Sequence, residues 1–223
     1  MAATLALGFW QLGRGQQRLA LEAAIEARHG LPPIDAAALL QAPGRGELLH
    51  RQVVLRGRWS ARHTVYLDNR QMQGRPGFYV VTPLRLAGSD AAVLVQRGWA
   101  ARDFNDRQRL PAVETPDGEV ELHGRIAPPP AKLYAFETAE AGLIRQNLDL
   151  ASFRAETGLS LLDGSVVQTG AASQGLLRDW PAASSGAGKN FGYAFQWWAL
   201  CGLIAILYVW FQFIAPRRRS TPV

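Results

Sequence analysis

The C-terminal part of the chain decides the architecture. Residues 190–215 read NFGYAFQWWALCGLIAILYVWFQFIA, and no side chain from Phe191 to Ala215 carries a charge. A helix needs about 20 apolar residues to cross a bilayer, so we predict a membrane-spanning helix over residues 191–215. Aromatic rings crowd both of its ends, where such side chains settle at headgroup depth: Tyr193, Trp197, Trp198, Tyr208 and Trp210. The alternative, a buried helix of a soluble core, fits the length and the flanks less well.

Three arginines, Arg217 to Arg219, follow this span in a short tail. Positive residues are retained on the cytoplasmic side of a membrane. We therefore predict a cytoplasmic basic tail, residues 216–223, and expect Asn190 on the opposite side. The whole chain has 24 basic and 18 acidic side chains, and without the tail it has 21 basic and 18 acidic side chains. This near balance speaks against a nucleic-acid partner, as does the lack of a segment that interleaves basic and aromatic residues.

A second apolar run lies at the N-terminus. Ala2 to Leu12 has eleven residues and covers about 16 Å of helix, roughly half of a hydrocarbon core. Only Met1 precedes it, so the basic segment of a secretory signal peptide is missing. Two interpretations remain: the lower half of a first span whose start lies upstream of Met1, or a short interfacial anchor. We favour the first and treat residues 1–12 as a partial first transmembrane helix; the helical pattern itself continues to a stop signal at Gly30.

Residues 13–190 are predicted to form one extracytoplasmic α+β domain, long enough to have its own core. Short apolar segments separated by turn residues predict an antiparallel sheet, curled toward a barrel. Two short helices are expected, one from Asp35 to Gln41 and one from Leu150 to Thr157, capped by Asp149 and ended by Gly158. A linker is expected from Pro181 to Gly188. The strand segments are 52–59, 63–70, 77–84, 92–99, 118–126, 143–148 and 164–169.

The residue types that carry catalysis are not arranged for it. The histidines His29, His50, His63 and His123 lack the spacing of a zinc site, and none pairs with a cysteine. The single cysteine, Cys201, falls inside the predicted span, where burial in lipid disfavours a thiolate. The carboxylates are spread along the chain without pairing. We therefore predict neither an enzyme nor a metal site.

Five short motifs, taken in order, resemble the Surfeit locus protein 1 family of cytochrome oxidase assembly factors. Each motif is weak alone, but together they run across nearly the whole chain. They are Trp10-Gln11-Leu12 with Arg14, Leu67-Asp68-Asn69-Arg70, Gly74 and Gly77 before Val80-Val81-Thr82-Pro83-Leu84, Val93-Leu94-Val95-Gln96-Arg97-Gly98-Trp99, and Tyr193-Ala194-Phe195-Gln196-Trp197.

The resemblance implies two membrane helices that hold one domain outside the cytoplasm of a bacterial inner membrane, in the periplasm. It implies a role in maturing the catalytic subunit of a haem-copper terminal oxidase, at the insertion of haem A. The implied partners are that subunit, the haem A synthesis machinery and membrane lipid, with haem A as a transient cofactor. Two competing functions fit a two-span layout as well: a membrane-anchored sensor and an accessory subunit of a transporter.

One departure from the family pattern concerns haem. Members commonly carry a histidine three residues before the Tyr-Ala pair, and this chain has Asn190 there. A neutral imidazole ligates haem iron, whereas a carboxamide is a poor ligand. We expect Asn190, Tyr193 and Trp197 to lie at the mouth of the second span and to contact haem or a partner without ligating iron.

The other motif residues have more than one interpretation. The guanidinium groups of Arg70 and Arg97 suit a bidentate clamp on propionates or on a partner carboxylate, or a structural role. Gly77 and Gly98 suit a bend or a close backbone approach. Gln196 is expected to bond to a neighbouring membrane helix. Trp10 and Arg14 mark the exit of the first span, and Trp59 and Trp99 are expected to be core or membrane-facing anchors.

Overall fold

The structure is a computed structural model and describes residues 1–42, 45–103, 105–106, 109–133, 142–180 and 186–214. The described residues form two compact units. The helix unit comprises residues 1–27 and 182–223, and the barrel unit comprises residues 28–181. The predicted cytoplasmic tail, residues 216–223, lies outside the described residues, and so does the first part of the predicted linker, residues 181–185.

The helix unit contains the two long helices of the chain. Helix α1 (Ala2–His29) is continuous and ends at the predicted stop signal, so the sequence boundary at Leu12 lies inside one helix. The C-terminal helix runs from Ala187 to Val209, and a π-helical turn continues it from Trp210 to Ile214. This helix begins inside the predicted linker, directly after Gly186, whose φ of 57° is left-handed. The residues Ala187–Phe213 form a candidate membrane span, since this helical segment is long enough and apolar enough to cross a bilayer.

Among the described residues, the barrel unit has eight strands and three short helices. In chain order the elements are α2 (Ala36–Gln41), α3 (Arg45–Leu48), β1 (Gln52–Trp59), β2 (Val65–Met72), β3 (Arg75–Leu86), β4 (Ala91–Ala101), β5 (Glu119–Ala127), β6 (Ile144–Arg145), α4 (Leu150–Thr157), β7 (Ser160–Leu161) and β8 (Ser165–Gln168); the C-terminal helix is α5. Five of these strands hydrogen-bond in a closed ring, β3–β1–β5–β8–β4–β3, so the predicted curling toward a barrel is confirmed.

Most strand pairs are antiparallel, as predicted, but three are parallel. The parallel pairs are β2 with β6, β4 with β7 and β4 with β8. Parallel pairing needs a long crossover connection. The chain between β4 and β8 supplies this crossover, and it contains β5, which closes the other side of the ring. Strand β7 was missed because two residues carry no periodic pattern, and β6 is shorter than the predicted segment 143–148.

Alternation along the strands divides the apolar side chains between two cores. The interior core of the ring takes Val93 and Val95 from β4 and is covered by Leu39 of helix α2. The alternate β4 residues Ala92 and Leu94 point to a second core, covered by Phe153 of α4. Strand β4 is therefore buried on both faces, which explains why its sequence reads as a nearly continuous apolar run. The caps of α4 are those predicted from the sequence, Asp149 and Gly158.

Candidate functional site

The motif Leu67-Asp68-Asn69-Arg70 is a β-bulge. Leu67 pairs with Tyr79 and Arg70 pairs with Gly77, so two residues of β2 lie opposite one residue of β3. Asn69 has a φ of 58°, a left-handed conformation that asparagine tolerates better than most residues. A bulge re-aims the side chains that follow it. Here the side chain of Arg70 becomes buried, with 6% of its surface exposed.

The motif that contains Arg97 is a second bulge, in β4. Val81 pairs with Gln96 and Val80 pairs with Gly98, so Arg97 is the additional residue. An extra residue breaks the alternation of the strand and turns its side chain toward a different face. The side chain of Arg97 is fully buried. From the sequence, Gly98 suggested a bend or a close approach here, but no local pattern located the extra residue at Arg97.

Arg97 is held by neutral oxygen atoms. Its Nη1 donates to Thr115 Oγ1 at 2.7 Å, and its Nη2 donates to the carbonyl of Glu114 at 2.6 Å and to Gln174 Oε1 at 2.7 Å. Its guanidinium carbon lies 4.7 Å from the ring centre of Trp59, a cation–π contact. Arg97 therefore ties two loops, around residues 114 and 174, to the barrel.

The charge of Arg97 has no carboxylate counter-ion in the part of the chain that the structure describes. Burial, and then the neighbouring Arg178, lower the pKa of Arg97 to about 10, while Tyr66 raises it. Arg178 also donates from Nε to the carbonyl of Arg97 at 2.9 Å. At neutral pH Arg97 thus remains a buried cation that neutral acceptors and an aromatic ring stabilise.

Arg70 and Trp99 connect the two bulges. Arg70 donates from Nη2 to the carbonyl of Gln146 at 2.9 Å and lies over the ring of Tyr79 at 5.8 Å. Trp99 donates from Nε1 to the carbonyl of Arg70 at 2.9 Å. Tyr79 and Trp99 are also register partners across β3 and β4. The motif residues of the barrel unit therefore form one cluster, although they are distant in sequence.

Two glycines make this cluster possible, by close approach as the sequence suggested. A Cβ atom on Gly77 would lie 2.2 Å from the carbonyl oxygen of Ala100 and 2.5 Å from the ring of Trp99. A Cβ atom on Gly98 would lie 2.7 Å from both Leu176 and the carbonyl of Leu177. Real Cβ atoms do not tolerate such distances, so a side chain at either position displaces its neighbours.

In the helix unit, α1 and α5 pack as an antiparallel pair. The ring of Trp198 covers Gly8, and the ring of Phe191 covers Gly15. Phe9 contacts Trp198 edge-on, with ring centres 5.4 Å apart. Gly8 and Gly15 lie one heptad apart, as do Phe191 and Trp198, which is the spacing of a regular helix seam. This seam was not predicted, although the heptad spacing of glycines and aromatics is a signal that could have found it.

Asn190 lies in this seam rather than at an open site. Its Nδ2 donates to Gln11 Oε1 at 2.7 Å. Gln11 belongs to the first motif of the resemblance, and Asn190 lies three residues before the last motif, so the two helices are bonded close to both motifs. The other predicted residues of this unit are on the outside: Tyr193 and Trp10 expose 53% and 56% of their surface, and Gln196 is exposed. Arg14 lies over the ring of Trp10 at 5.9 Å, and Trp197 is half-buried.

The bond between Gln11 and Asn190 should contribute measurably to the association of α1 and α5. Replacing both residues by alanine, singly and together, is expected to give a coupling free energy of about 1 kcal/mol, the usual range for a polar pair between membrane helices. Unfolding of the full chain by sodium dodecyl sulfate in mixed micelles measures it. The matched control is Gln196→Ala with Gln11→Ala, for which we expect additive effects; coupling there instead would contradict the assigned seam.

The helix unit does not fit a haem iron site with an imidazole ligand. All four histidines belong to residues 28–181, the barrel unit. The thiol of Cys201 donates to the carbonyl of Met1 at 3.6 Å, and Asn190 is bonded to Gln11. Within the described ranges there is also no group of three or more His, Cys, Asp or Glu residues that could hold a metal ion.

Comparison with known proteins agrees with the motifs. The SURF1 family model matches residues 1–202. A SURF1-like protein of Rickettsia felis is 26% identical over 216 residues, 92% of this chain and 90% of the relative. A SURF1-like protein of Rickettsia bellii is 26% identical over 212 residues, 91% of this chain and 83% of the relative. Cytochrome oxidase assembly protein SHY1 of Saccharomyces cerevisiae is 26% identical over 97 residues, 44% of this chain and 25% of the relative.

The family match includes the whole of α1, the whole barrel unit and α5 as far as Gly202. It thus contains all five motifs, and it confirms the resemblance found in the sequence. The chain belongs to the SURF1 family.

Proposed function

We propose that this protein is an assembly factor for a haem-copper terminal oxidase. The family match over residues 1–202 carries the proposal, and the name of the yeast relative, a cytochrome oxidase assembly protein, supports it. The geometry agrees with a binding role. The buried motif residues Arg70, Arg97 and Trp99 are occupied by structural contacts, whereas the helix unit exposes a broad apolar surface.

The proposed arrangement in the membrane is two helices that hold the barrel unit in the periplasm. The candidate span Ala187–Phe213 supports one crossing. The pairing of α1 with α5 through the glycine seam supports a second crossing by α1, because small residues at a helix interface let membrane helices approach closely. The three arginines that follow the span favour a cytoplasmic C-terminus in a bacterial inner membrane.

The proposed contact surface for the catalytic subunit is the side of the helix pair that faces away from the seam. Tyr193, Phe195 and Gln196 are exposed on α5, and Trp10 is exposed on α1. Rings contribute large contact area, and the amide of a glutamine bonds to a neighbouring helix within the membrane. This surface binds and positions a partner; it carries no group arranged for bond making or breaking.

We further propose that the protein acts when haem A enters the catalytic subunit. In this proposal Asn190 does not ligate the iron, because its amide is bonded to Gln11. The exposed rings of Tyr193 and Trp10 offer a contact for the flat edge of a porphyrin or for the helix that receives it. Recruitment from the haem A synthesis machinery would use the same exposed surface.

Deletion of the gene is expected to lower terminal oxidase activity several-fold and to reduce haem A in the assembled enzyme. The measurement is oxidase activity and haem content of membranes, with an unrelated respiratory complex as reference. Complementation with Tyr193→Ala is expected to restore less activity than the wild-type gene, because a large ring is lost from the contact surface.

The matched control for Tyr193→Ala is Tyr208→Ala, another exposed tyrosine of the same helix near its other end. If both variants restore equally little oxidase activity, the effect is on the membrane anchor and not on a contact with the partner. Unchanged oxidase activity in the deletion strain, under conditions where that oxidase is expressed, would refute the proposed function.

A further inference from the structure

An arginine-lined groove lies on the barrel unit, and its lining contains none of the motif residues. Its volume is about 490 Å³. Its basic lining comes from Arg58 at the end of β1, Arg62 in the short 3₁₀ turn Ala61–His63, and Arg85 of β3. Trp59 and Ser60 complete the wall, and all three arginines are exposed.

Two of these arginines are forced together by the register of the sheet. Arg58 and Arg85 are direct partners across the antiparallel strands β1 and β3. The Cβ atoms of such partners lie about 5 Å apart on the same face of the sheet. Like charges directly opposite each other destabilise a sheet. The pair is therefore unfavourable unless an anion lies between or beside the two guanidinium groups.

The neighbouring carboxylates do not neutralise this pair. Glu119 is the register partner of Arg58 on its other side, and it lines an adjoining cavity. Across the described ranges, however, neither Glu119 nor any other carboxylate lies within ion-pair distance of Arg58, Arg62 or Arg85. Burial, and then the charges of Arg62 and Arg85, lower the pKa of His63 beside the groove, while Glu156 raises it.

The same strand shows how an exposed arginine is neutralised elsewhere. Arg56 lies two residues before Arg58 on the same face of β1, and it donates from Nε to Glu121 Oε2 at 2.9 Å. Glu121 is its cross-strand partner on β5. The barrel unit thus pairs one exposed arginine of β1 with a carboxylate and leaves the next one opposite another arginine. Arg56 therefore provides a matched control.

We propose that this groove is a binding site for a phosphate group carried by a small ligand or by a lipid headgroup. A guanidinium group is a planar fork of donors that matches phosphate oxygens. A phosphate monoester has three terminal oxygens and a charge of about −1.5 to −2, which suits the three arginines that line one groove better than a single carboxylate does.

The walls and the size of the groove support a ligand with an apolar part next to the phosphate. The ring of Trp59 offers an apolar wall, and Arg97 lies behind it, 4.7 Å from the ring centre. Ser60 also lines the groove, and its side chain makes no capping bond to the 3₁₀ turn that follows it. A volume of about 490 Å³ lies in the range of small-molecule pockets, roughly 300–1,000 Å³.

Calorimetric titration of the full chain in neutral detergent with inorganic pyrophosphate, at constant ionic strength, tests the proposal. We expect binding to the wild type and at least a tenfold weaker affinity for Arg58→Gln and for Arg85→Gln. Arg56→Gln should bind as the wild type does. Thermal unfolding of the double variant R58Q/R85Q should no longer respond to pyrophosphate, although the apo protein should be as stable as the wild type, because the repulsion is removed.

A second arm separates the two sources of phosphate. Titration with pyrophosphate of the full chain reconstituted in vesicles of phosphatidic acid and phosphatidylcholine, compared with phosphatidylcholine alone, reports on a lipid headgroup with a phosphate monoester. If the lipid is the ligand, phosphatidic acid should compete with pyrophosphate and weaken its binding to the wild type; if the ligand is a small molecule, phosphatidic acid should not weaken it. No pyrophosphate binding, or equal weakening by Arg56→Gln and Arg58→Gln, would overturn the proposal whichever source applies.

Discussion

Replacing Arg97 by methionine is expected to lower the free energy of unfolding of the barrel unit by about 3 kcal/mol. Three acceptors lose their donor: Thr115 Oγ1, the carbonyl of Glu114 and Gln174 Oε1. Each acceptor left buried without a partner costs about 1–3 kcal/mol. The loss of the buried charge offsets part of this cost, because Arg97 has no carboxylate partner among the described residues. The contact with Trp59 is lost as well.

Thermal unfolding of the full chain in detergent, followed by circular dichroism, measures the effect. For a domain of this size about 3 kcal/mol corresponds to roughly 6–12 °C. Arg125→Met is the matched control, since Arg125 is a half-buried arginine of the barrel for which the structure shows no side-chain hydrogen bond. We expect it to shift the transition much less. Hydrogen exchange should accelerate around residues 114 and 174 only in Arg97→Met.

The same experiment separates the two interpretations that the sequence left open for Arg97. If Arg97 is a structural residue, Arg97→Met lowers the stability of the barrel unit, and any loss of partner binding follows from that lower stability. If Arg97 instead clamps a partner carboxylate, Arg97→Met keeps the stability of the wild type and loses partner binding. The contacts of Arg97 with neutral oxygens favour the structural interpretation. A transition temperature equal to that of the wild type would contradict it.

The parts of the fold with strong local signals could be predicted from sequence. Strand β1 has the predicted bounds, because alternating residues and the turn at Ser60 define both of its ends. Helix α4 also has the predicted bounds, because Asp149 caps its start and Gly158, with a φ of 65°, ends it. The sequence predicted only that the sheet curls toward a barrel, not which strands close it. The pairing of β4 with β8 closes the ring and joins strands more than 60 residues apart, which no local pattern reports.

The candidate site was harder to predict, because its geometry depends on departures from regular structure. Both bulges are single-residue events inside apolar strands, and they determine where Arg70 and Arg97 point. The acceptors of Arg97 lie 17 to 77 residues away in the chain, so no local pattern reports them. The bond of Asn190 to Gln11 spans 179 residues. The sequence identified the residues of these motifs, and the structure supplied their partners.

Replacing Gly77 by alanine is expected to destabilise the barrel unit as strongly as the loss of Arg97, although only one methyl group is added. The new Cβ would lie 2.2 Å from the carbonyl oxygen of Ala100, which belongs to the paired strand β4 and cannot move by a rotamer change. It would also lie 2.5 Å from the ring of Trp99, which bonds to the carbonyl of Arg70. Overpacking of this kind costs about 1–3 kcal/mol, and a backbone contact puts Gly77→Ala at the upper end.

The matched control is Gly118→Ala, a glycine next to β5 whose Cβ would meet no atom within 4 Å. We expect Gly118→Ala to unfold as the wild type does, or at a slightly higher temperature, since alanine restricts the unfolded chain. A second variant isolates the two contacts of Gly77. Adding Trp99→Phe to Gly77→Ala removes the ring clash and leaves the backbone clash, so it should recover only part of the stability. If Gly77→Ala alone unfolds at the same temperature as Gly118→Ala, the close approach of β3 and β4 at this point is wrong. The proposed reason for a glycine in the motif is then wrong as well.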